Sequence, residues 1–207
     1  MSQIIAFKSE QGIVLASDGR AVDFKRGGGP FDLEVQRLFP LTFHSAVLTG
    51  GAAQGESICR SLKHFIVNED LSDIEGIYQA VLPFLASEYE EYMRKNCEIL
   101  PVDPIHQLYF MLAGYSPEDS ASPFRLYLIW PKNKPPYLDG EEIASAFSVP
   151  RIMRLEYRLS EFSKKGTPLD QVVEEVRKVL EAQAETQDEI AGPFAYATIT
   201  KDGYQPA

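Results

Sequence analysis

Ile4-Ile5-Ala6-Phe7-Lys8, then Glu10-Gln11-Gly12, then Ile13-Val14-Leu15-Ala16-Ser17 running into Asp18-Gly19-Arg20: the reading of the chain turns on these first twenty residues. Two short apolar runs rich in Ile, Val, Leu and Phe flank a polar turn that ends in glycine, which is the pattern of a β-hairpin. Ser2 stands just before the first strand. If Met1 is removed, Ser2 carries a hydroxyl and a free α-amine on one residue, a nucleophile with its own base. A small second residue favours that removal.

Working outward, further strand-like segments fall at Gln36–Phe39, Ser45–Thr49, Gln107–Tyr115, Phe124–Trp130, Ile143–Ser148 and Phe194–Lys201. Helical periodicity lies between them. Residues 52–67 put Ile58, Leu62, Phe65 and Ile66 on one face. Residues 72–96 open on Ser72-Asp73-Ile74-Glu75, a capping-box pattern, and contain Pro83, which predicts a kink or a division. Residues 150–162 read as a third helix. Thr167-Pro168-Leu169-Asp170 supplies an N-cap, a first-turn proline and an early acid for a fourth, which continues through Val172, Val173, Val176, Val179 and Leu180 to about Gln187. The order predicts an α+β fold: one domain over residues 1–207, a four-layer α-β-β-α sandwich of two antiparallel sheets, each covered outside by a helix pair. The polar stretches 25–30, 118–123 and 131–140 read as surface loops. Gly27-Gly28-Gly29 lacks the Gly-Lys-Ser/Thr ending of a phosphate loop.

Composition narrows the functional classes. The 207 residues carry a net charge of -10, which argues against nucleic acid and anionic membrane as partners. Acid runs at Glu88–Glu91, Glu141–Glu142 and Glu174–Glu189 read as solvated faces. No apolar run approaches the roughly 20 residues of a membrane span, and the N-terminus lacks the basic and apolar regions of a secretory signal. Cys59 and Cys97 have no ligand spacing, and His44, His64 and His106 are scattered. The expectation is reduced thiols in the cytoplasm, with no metal and no cofactor.

Several segments, in order, resemble a proteasome β-type or HslV-like subunit of the N-terminal nucleophile hydrolases. They are the opening hairpin with Asp18, Arg37-Leu38-Phe39-Pro40-Leu41, Ser45 through Gly50-Gly51-Ala52-Ala53, Phe110–Tyr115 followed by Arg125–Ile129, and Thr198–Tyr204. The family's α-type subunits carry an extension before the hairpin, and this sequence opens directly on it. The resemblance covers nearly the whole chain and implies the same sandwich fold.

It also implies site roles. Gly12 and Asp18 align so that Ser2 takes the place of the nucleophilic threonine. An α-amine with a reference pKa of about 7.7–8.0 accepts the hydroxyl proton near neutrality. Asp18 takes the place of the acid that holds a lysine beside the nucleophile; by itself, Asp-Gly is also a common turn pair, and Arg20 is near enough in sequence to pair with it. Arg37 stands where that lysine is expected. It keeps the charge, but as a planar fork that does not release its proton, so it either supplies a field or marks a site that has lost catalysis. Lys25 is a weaker substitute. Gly50 or Gly51 matches the glycine whose N–H holds the oxyanion, a donor worth roughly 3 kcal/mol; a tight strand-to-helix turn also asks for glycine there. Ser148 and Asp188 fall in the regions of the family's supporting serine and acid. Their surroundings, Ala146-Phe147-Ser148-Val149 and Asp188-Glu189-Ile190-Ala191, depart from the family pattern.

Three readings follow. The first is an amide hydrolase, a peptidase using Ser2 on peptide or protein substrates within a homo-oligomeric ring or related assembly, with an ATPase or regulator as a partner implied by resemblance. The second is a catalytically inactive structural or assembly subunit. The third is a hydrolase of small amides.

Overall fold

The computed structural model describes residues 2–24, 30–96, 107–119, 122–132 and 137–207. Residues Met1, Lys25, Gly27-Gly28-Gly29, Cys97 and His106, each given a reading above, lie outside the described residues.

The opening hairpin forms as its pattern predicts, β1 (Ile4–Ser9) against β2 (Gly12–Ser17), with Ile4 opposite Ser17 and Lys8 opposite Ile13. Every residue of both strands is buried. This explains the continuous apolar runs, because a strand covered on both faces loses the usual alternation. Ile4, Ala6, Ile13 and Leu15 face one core, while Ile5, Phe7, Val14 and Ala16 face another. Gly12 begins β2 at φ +148°, where a Cβ would lie 2.5 Å from the Ile199 carbonyl oxygen, so the turn and the neighbouring strand both require glycine.

Ten further strands and four helices surround the hairpin. In chain order they are β3 (Arg20–Phe24), β4 (Pro30–Glu34), β5 (Leu38–Thr42), β6 (Ser45–Gly51), α1 (Gln54–Asn68), α2 (Ile74–Asn96), β7 (Leu108–Tyr115), β8 (Phe124–Trp130), β9 (Asp139–Glu142), β10 (Ala146–Val149), α3 (Met153–Lys165), α4 (Leu169–Thr186), β11 (Ala195–Thr200) and β12 (Gly203–Pro206). They make three antiparallel sheets: β10-β1-β2-β11-β12, β3-β4, and β5-β6-β7-β8-β9. The expected α+β, four-layer sandwich of two sheets is therefore corrected to a chain of three antiparallel sheets, with five, two and five strands, and four helices. Strands β3 and β4 escaped the sequence reading because Arg20, Asp23, Asp32 and Glu34 interrupt their short apolar runs. They form a separate ribbon, with Arg20 opposite Glu34.

The two five-stranded sheets share a core of Ile4, Leu15, Leu48, Met111, Leu126, Leu128 and Ile199, among others. Helices α1 and α2 bury Ile58, Leu62, Ile77, Val81 and Leu85 on the β5–β9 sheet. Helices α3 and α4 bury Leu155, Leu159, Val172, Val176 and Leu180 on the hairpin's other face.

Local readings shift in three places. Asp73, not Ser72, caps α2, its Oδ2 accepting the N–H groups of Glu75 at 3.0 Å and Gly76 at 3.1 Å. Helix α2 runs on through Pro83. The strand expected over 143–148 is shortened to β10 on β1, while β9, which begins in the segment read as a loop just before it, pairs with β8 in the other five-stranded sheet. The Asp-Gly-Glu-Glu of β9 carries no apolar signal, as suits an exposed edge strand. Glu142 binds Lys8 across the sheets at 2.8 Å.

Phe7 is fully buried in the hairpin's outer core. Phe7→Ala is expected to cost about 3–5 kcal/mol in urea unfolding. Val67→Ala, on the exposed side of α1, is expected to stay within about 0.5 kcal/mol.

Candidate active site

Ser2 precedes β1, and period-two alternation puts its side chain on the inter-sheet face with Ile4. It is 5% exposed. The backbone N–H of Gly51 donates to Ser2 Oγ at 2.6 Å. Gly51 closes β6 at φ +93°, and a Cβ there would meet the Gln107 carbonyl oxygen at 1.8 Å. No other residue fits, so this turn brings its N–H to Ser2 through a conformation reserved for glycine. Gly50 sits opposite Tyr109 in the β6–β7 register; its missing Cβ would lie 3.5 Å from Ser2 Oγ.

Beside this lies a buried ion pair. Asp18 Oδ1 accepts the N–H of Gln3 at 3.0 Å, and the Asp18 N–H returns a bond to the Gln3 carbonyl, also at 3.0 Å. Arg37 Nε lies 3.2 Å from the same Oδ1, with both side chains fully buried. Charge attraction is the larger part of this contact, with a smaller hydrogen-bond component from the guanidinium. The rest of the Arg37 fork donates to backbone carbonyls, Nη2 to Arg20 at 2.5 Å and Nη1 to Gly51 at 3.4 Å. Arg37 thus ties the start of the β3 ribbon to the glycine turn. Asp18 Oδ2 and the neighbouring Ser17 Oγ have no hydrogen-bond partner among the described residues. A cleft of about 330 Å³, lined by Ser17, Asp18, Gln36, Arg37, Glu56 and Arg60 among others, reaches the pair from outside.

Burial dominates the electrostatics. It pushes the Asp18 carboxyl up to about 6, against the lowering effects of Arg37 and the N–H groups of Gln3 and Arg20. Burial likewise lowers the Arg37 guanidinium from its ordinary range, opposed by Asp18 and Glu56.

Five of the seven sequence-derived residues, Ser2, Asp18, Arg37, Gly50 and Gly51, come together here. The other two sit elsewhere. Ser148 is fully buried on β10, opposite Ile5; its Oγ donates to Glu156 at 2.7 Å and accepts the Ile152 N–H at 2.8 Å. Glu156 also binds Arg151, making a brace for the start of α3. Asp188 has an exposed side chain and meets Arg20 through its backbone carbonyl, which accepts from the guanidinium, and through the charge of its carboxylate. Gln3 is the residue the sequence reading missed. Besides holding Asp18, its side-chain amide donates to the Pro150 carbonyl at 3.0 Å. A polar residue between Ser2 and an unbroken apolar strand was the available signal.

No protein-family model matches the sequence, and no curated protein does. Solved structures do match. Anbu (ancestral beta-subunit) from Yersinia bercovieri is similar at a TM-score of 0.66 and 15% identity, covering 99% of this chain and 86% of that one. The Anbu complex from Pseudomonas aeruginosa, described as a helical assembly, is similar at a TM-score of 0.67 and 16% identity, covering 99% of this chain and 84% of that one. This likeness shows that the chain shares the fold of these Anbu structures. It also corrects the branch expected above: these neighbours are Anbu proteins, proteasome-like but distinct from the proteasome β and HslV-like subunits that the segments resemble. The hairpin and the glycine turn are requirements of the scaffold, so they do not separate its branches.

Two outcomes follow from the ion pair. Arg37→Ala leaves Asp18 buried without its counter-charge and is expected to cost about 3–5 kcal/mol near neutral pH, while combining Asp18→Asn with Arg37→Met recovers most of it in a double-mutant cycle. The Asp18 carboxyl holds its proton up to about 6 in the folded chain, against 3.8 ordinarily. The folded state therefore binds more protons across that interval. The stabilising contribution is complete below the ordinary value and is lost as pH rises through about 6, amounting to about 3 kcal/mol. Urea midpoints of the wild type, relative to Asp18→Asn, are expected to fall from pH 4 to pH 7.

Proposed function

We propose that this protein is an amide hydrolase, acting on peptides or proteins, whose nucleophile is the Ser2 hydroxyl freed by removal of Met1. The observation that carries the reading is the bond from Gly51 N–H to Ser2 Oγ at 2.6 Å, beside the buried Asp18–Arg37 pair. A donor on Oγ favours its alkoxide character, and the fixed positive charge of Arg37 nearby acts in the same direction. The Ser2 α-amine takes the hydroxyl proton as Oγ attacks the substrate carbonyl. The same amine returns the proton to the leaving nitrogen as the amide bond breaks. Water, deprotonated by the amine, then cleaves the acyl-enzyme. Asp18 and Arg37 act as positioning groups, with Gln3 fixing the carboxylate. The glycine turn supplies the donor for developing negative charge, through Gly51 N–H once Oγ has become an ester oxygen. Ser148 and Asp188 have no part in this chemistry, since their contacts lead to the α3 brace and to Arg20. The helical assembly of the Pseudomonas neighbour supports a homo-oligomeric arrangement.

One observation favours a second reading, an inactive assembly subunit. Arg37 reaches Asp18 and two backbone carbonyls, so it braces the fold whether or not Ser2 reacts.

Intact mass of the native protein, followed by treatment with a fluorophosphonate and peptide mapping, separates the two. The hydrolase loses the mass of one methionine and gains one adduct at Ser2. Ser2→Ala abolishes the adduct and lowers peptide cleavage by on the order of 10⁴-fold or more. Full retention of Met1 sinks the hydrolase reading and leaves the assembly subunit.

A further inference from the structure

Helix α4 meets the hairpin through an apolar stripe, Val172, Val173, Val176 and Leu180, buried in the core that also holds Ile5, Phe7, Val14 and Ala16. Helical spacing carries that stripe on to position 183, one turn beyond Leu180. The residue there is an amide, Gln183. Across the layer it meets a second amide, that of Gln3, which is 1% exposed. Gln183 Nε2 donates to Gln3 Oε1 at 3.3 Å. Gln183 Oε1 is buried and has no hydrogen-bond partner among the described residues. An apolar side chain would serve packing better, because a buried acceptor left unpaired is destabilising. The amide at this position therefore points to a use of its N–H.

The direction of the bond follows from chemistry. The Pro150 carbonyl can only accept, so Gln3 presents Nε2 to it, at 3.0 Å. Gln3 Oε1 is left facing α4, and only a donor satisfies it. Gln183 supplies that donor. The Gln3 side chain is thus held at both ends, by the segment before α3 and by α4. Its backbone N–H and carbonyl are held as well, each by Asp18 at 3.0 Å. Every polar group of the residue that follows Ser2 is engaged.

The same end of α4 reaches Asp18 from its other side. The Gln187 N–H caps the helix on the Gln183 carbonyl at 2.8 Å. The chain leaving that cap offers its Asp188 carbonyl to Arg20 and its Ala191 carbonyl to the N–H of Gly19, the latter at 2.9 Å. Asp18 thus lies between two attachments, Gln3 and Gly19, that lead back to one helical turn.

We infer that Gln183 is a positioning residue for Ser2: its N–H, acting through Gln3, holds the approach to β1 and the Asp18 carboxyl in place against the outer helix layer. The inference rests on the hydrolase reading and extends that site to α4.

The test is the rate at which a fluorophosphonate forms its adduct at Ser2, read by intact mass, with urea midpoints to show that each variant is folded. Gln183→Met and Gln183→Glu remove the donor at nearly constant volume, and each is expected to slow the adduct about three- to tenfold. Gln183→Lys keeps an N–H donor and is expected to bring the rate back to within about twofold of the wild type. Added to Gln3→Met, Gln183→Met is expected to slow the reaction no further, since both act through one bond. A role in packing alone would leave the methionine variant as fast as the wild type. Should one donor-free variant not fold, the other carries the comparison. Wild-type rates without the donor, a lysine variant as slow as the glutamate one, or multiplied effects in the double variant overturn the positioning role and leave the hydrolase standing. Absence of a Ser2 adduct in the wild type overturns both.

Discussion

A charged pair with both side chains buried is the constraint around which this chain is organised. Asp18 and Arg37 have fully buried side chains. Desolvation at such a position costs several kcal/mol per ion, so the pair persists only where geometry and further hydrogen bonds compensate. Gln3 satisfies one carboxylate oxygen, and two carbonyls take the remaining arms of the guanidinium. Each of these partners belongs to a different element: the approach to β1, the start of β3 and the end of β6. Compensating the charge therefore fixes the three backbone segments that surround Ser2. Stability and site geometry here have one physical cause.

The hairpin provides the rigid half of that arrangement. With apolar cores on both faces, β1 and β2 cannot shift register without sending every inward side chain to the wrong side. Ser2 and Gln3, at the end of such a strand, inherit its rigidity. The other half is the glycine turn after β6, where backbone strain and a close approach to Gln107 leave one allowed conformation. A hydroxyl mounted between a doubly buried strand and a sterically determined turn has little freedom to wander, which is the requirement for positioning a reacting group.

The sequence made some of this legible and hid the rest for identifiable reasons. Hydrophobic runs announced β1, β2, β6, β7 and β8, because those strands are buried and their composition follows. The ribbon of β3 and β4 mixes its apolar residues with charges that break the strand pattern, and the edge strand β9 has no apolar residue, so two sheets were expected where three exist. In the site, Ser2, Asp18, Arg37, Gly50 and Gly51 were legible through the hairpin and the glycine pair. Ser148 and Asp188 fall apart from the other five because the partners of a side chain depend on where a distant segment returns. Glu156, eight residues beyond Ser148, captures that serine for the base of a helix. Gln3 went unseen since nothing in local spacing shows that its backbone and side chain bind in opposite directions, one toward Asp18 and the other toward Pro150.

The crowding at Gly51 also bears on how such a chain can drift over generations. A side chain there collides with backbone, so glycine is demanded by the fold alone and would persist in a descendant that had stopped reacting with anything. Nothing in the packing makes the same demand of a hydroxyl at position 2, where a residue of similar size would still let the hairpin close. The two ends of one hydrogen bond thus answer to different kinds of selection. The glycine records the architecture, whereas the serine endures only for as long as its oxygen is used.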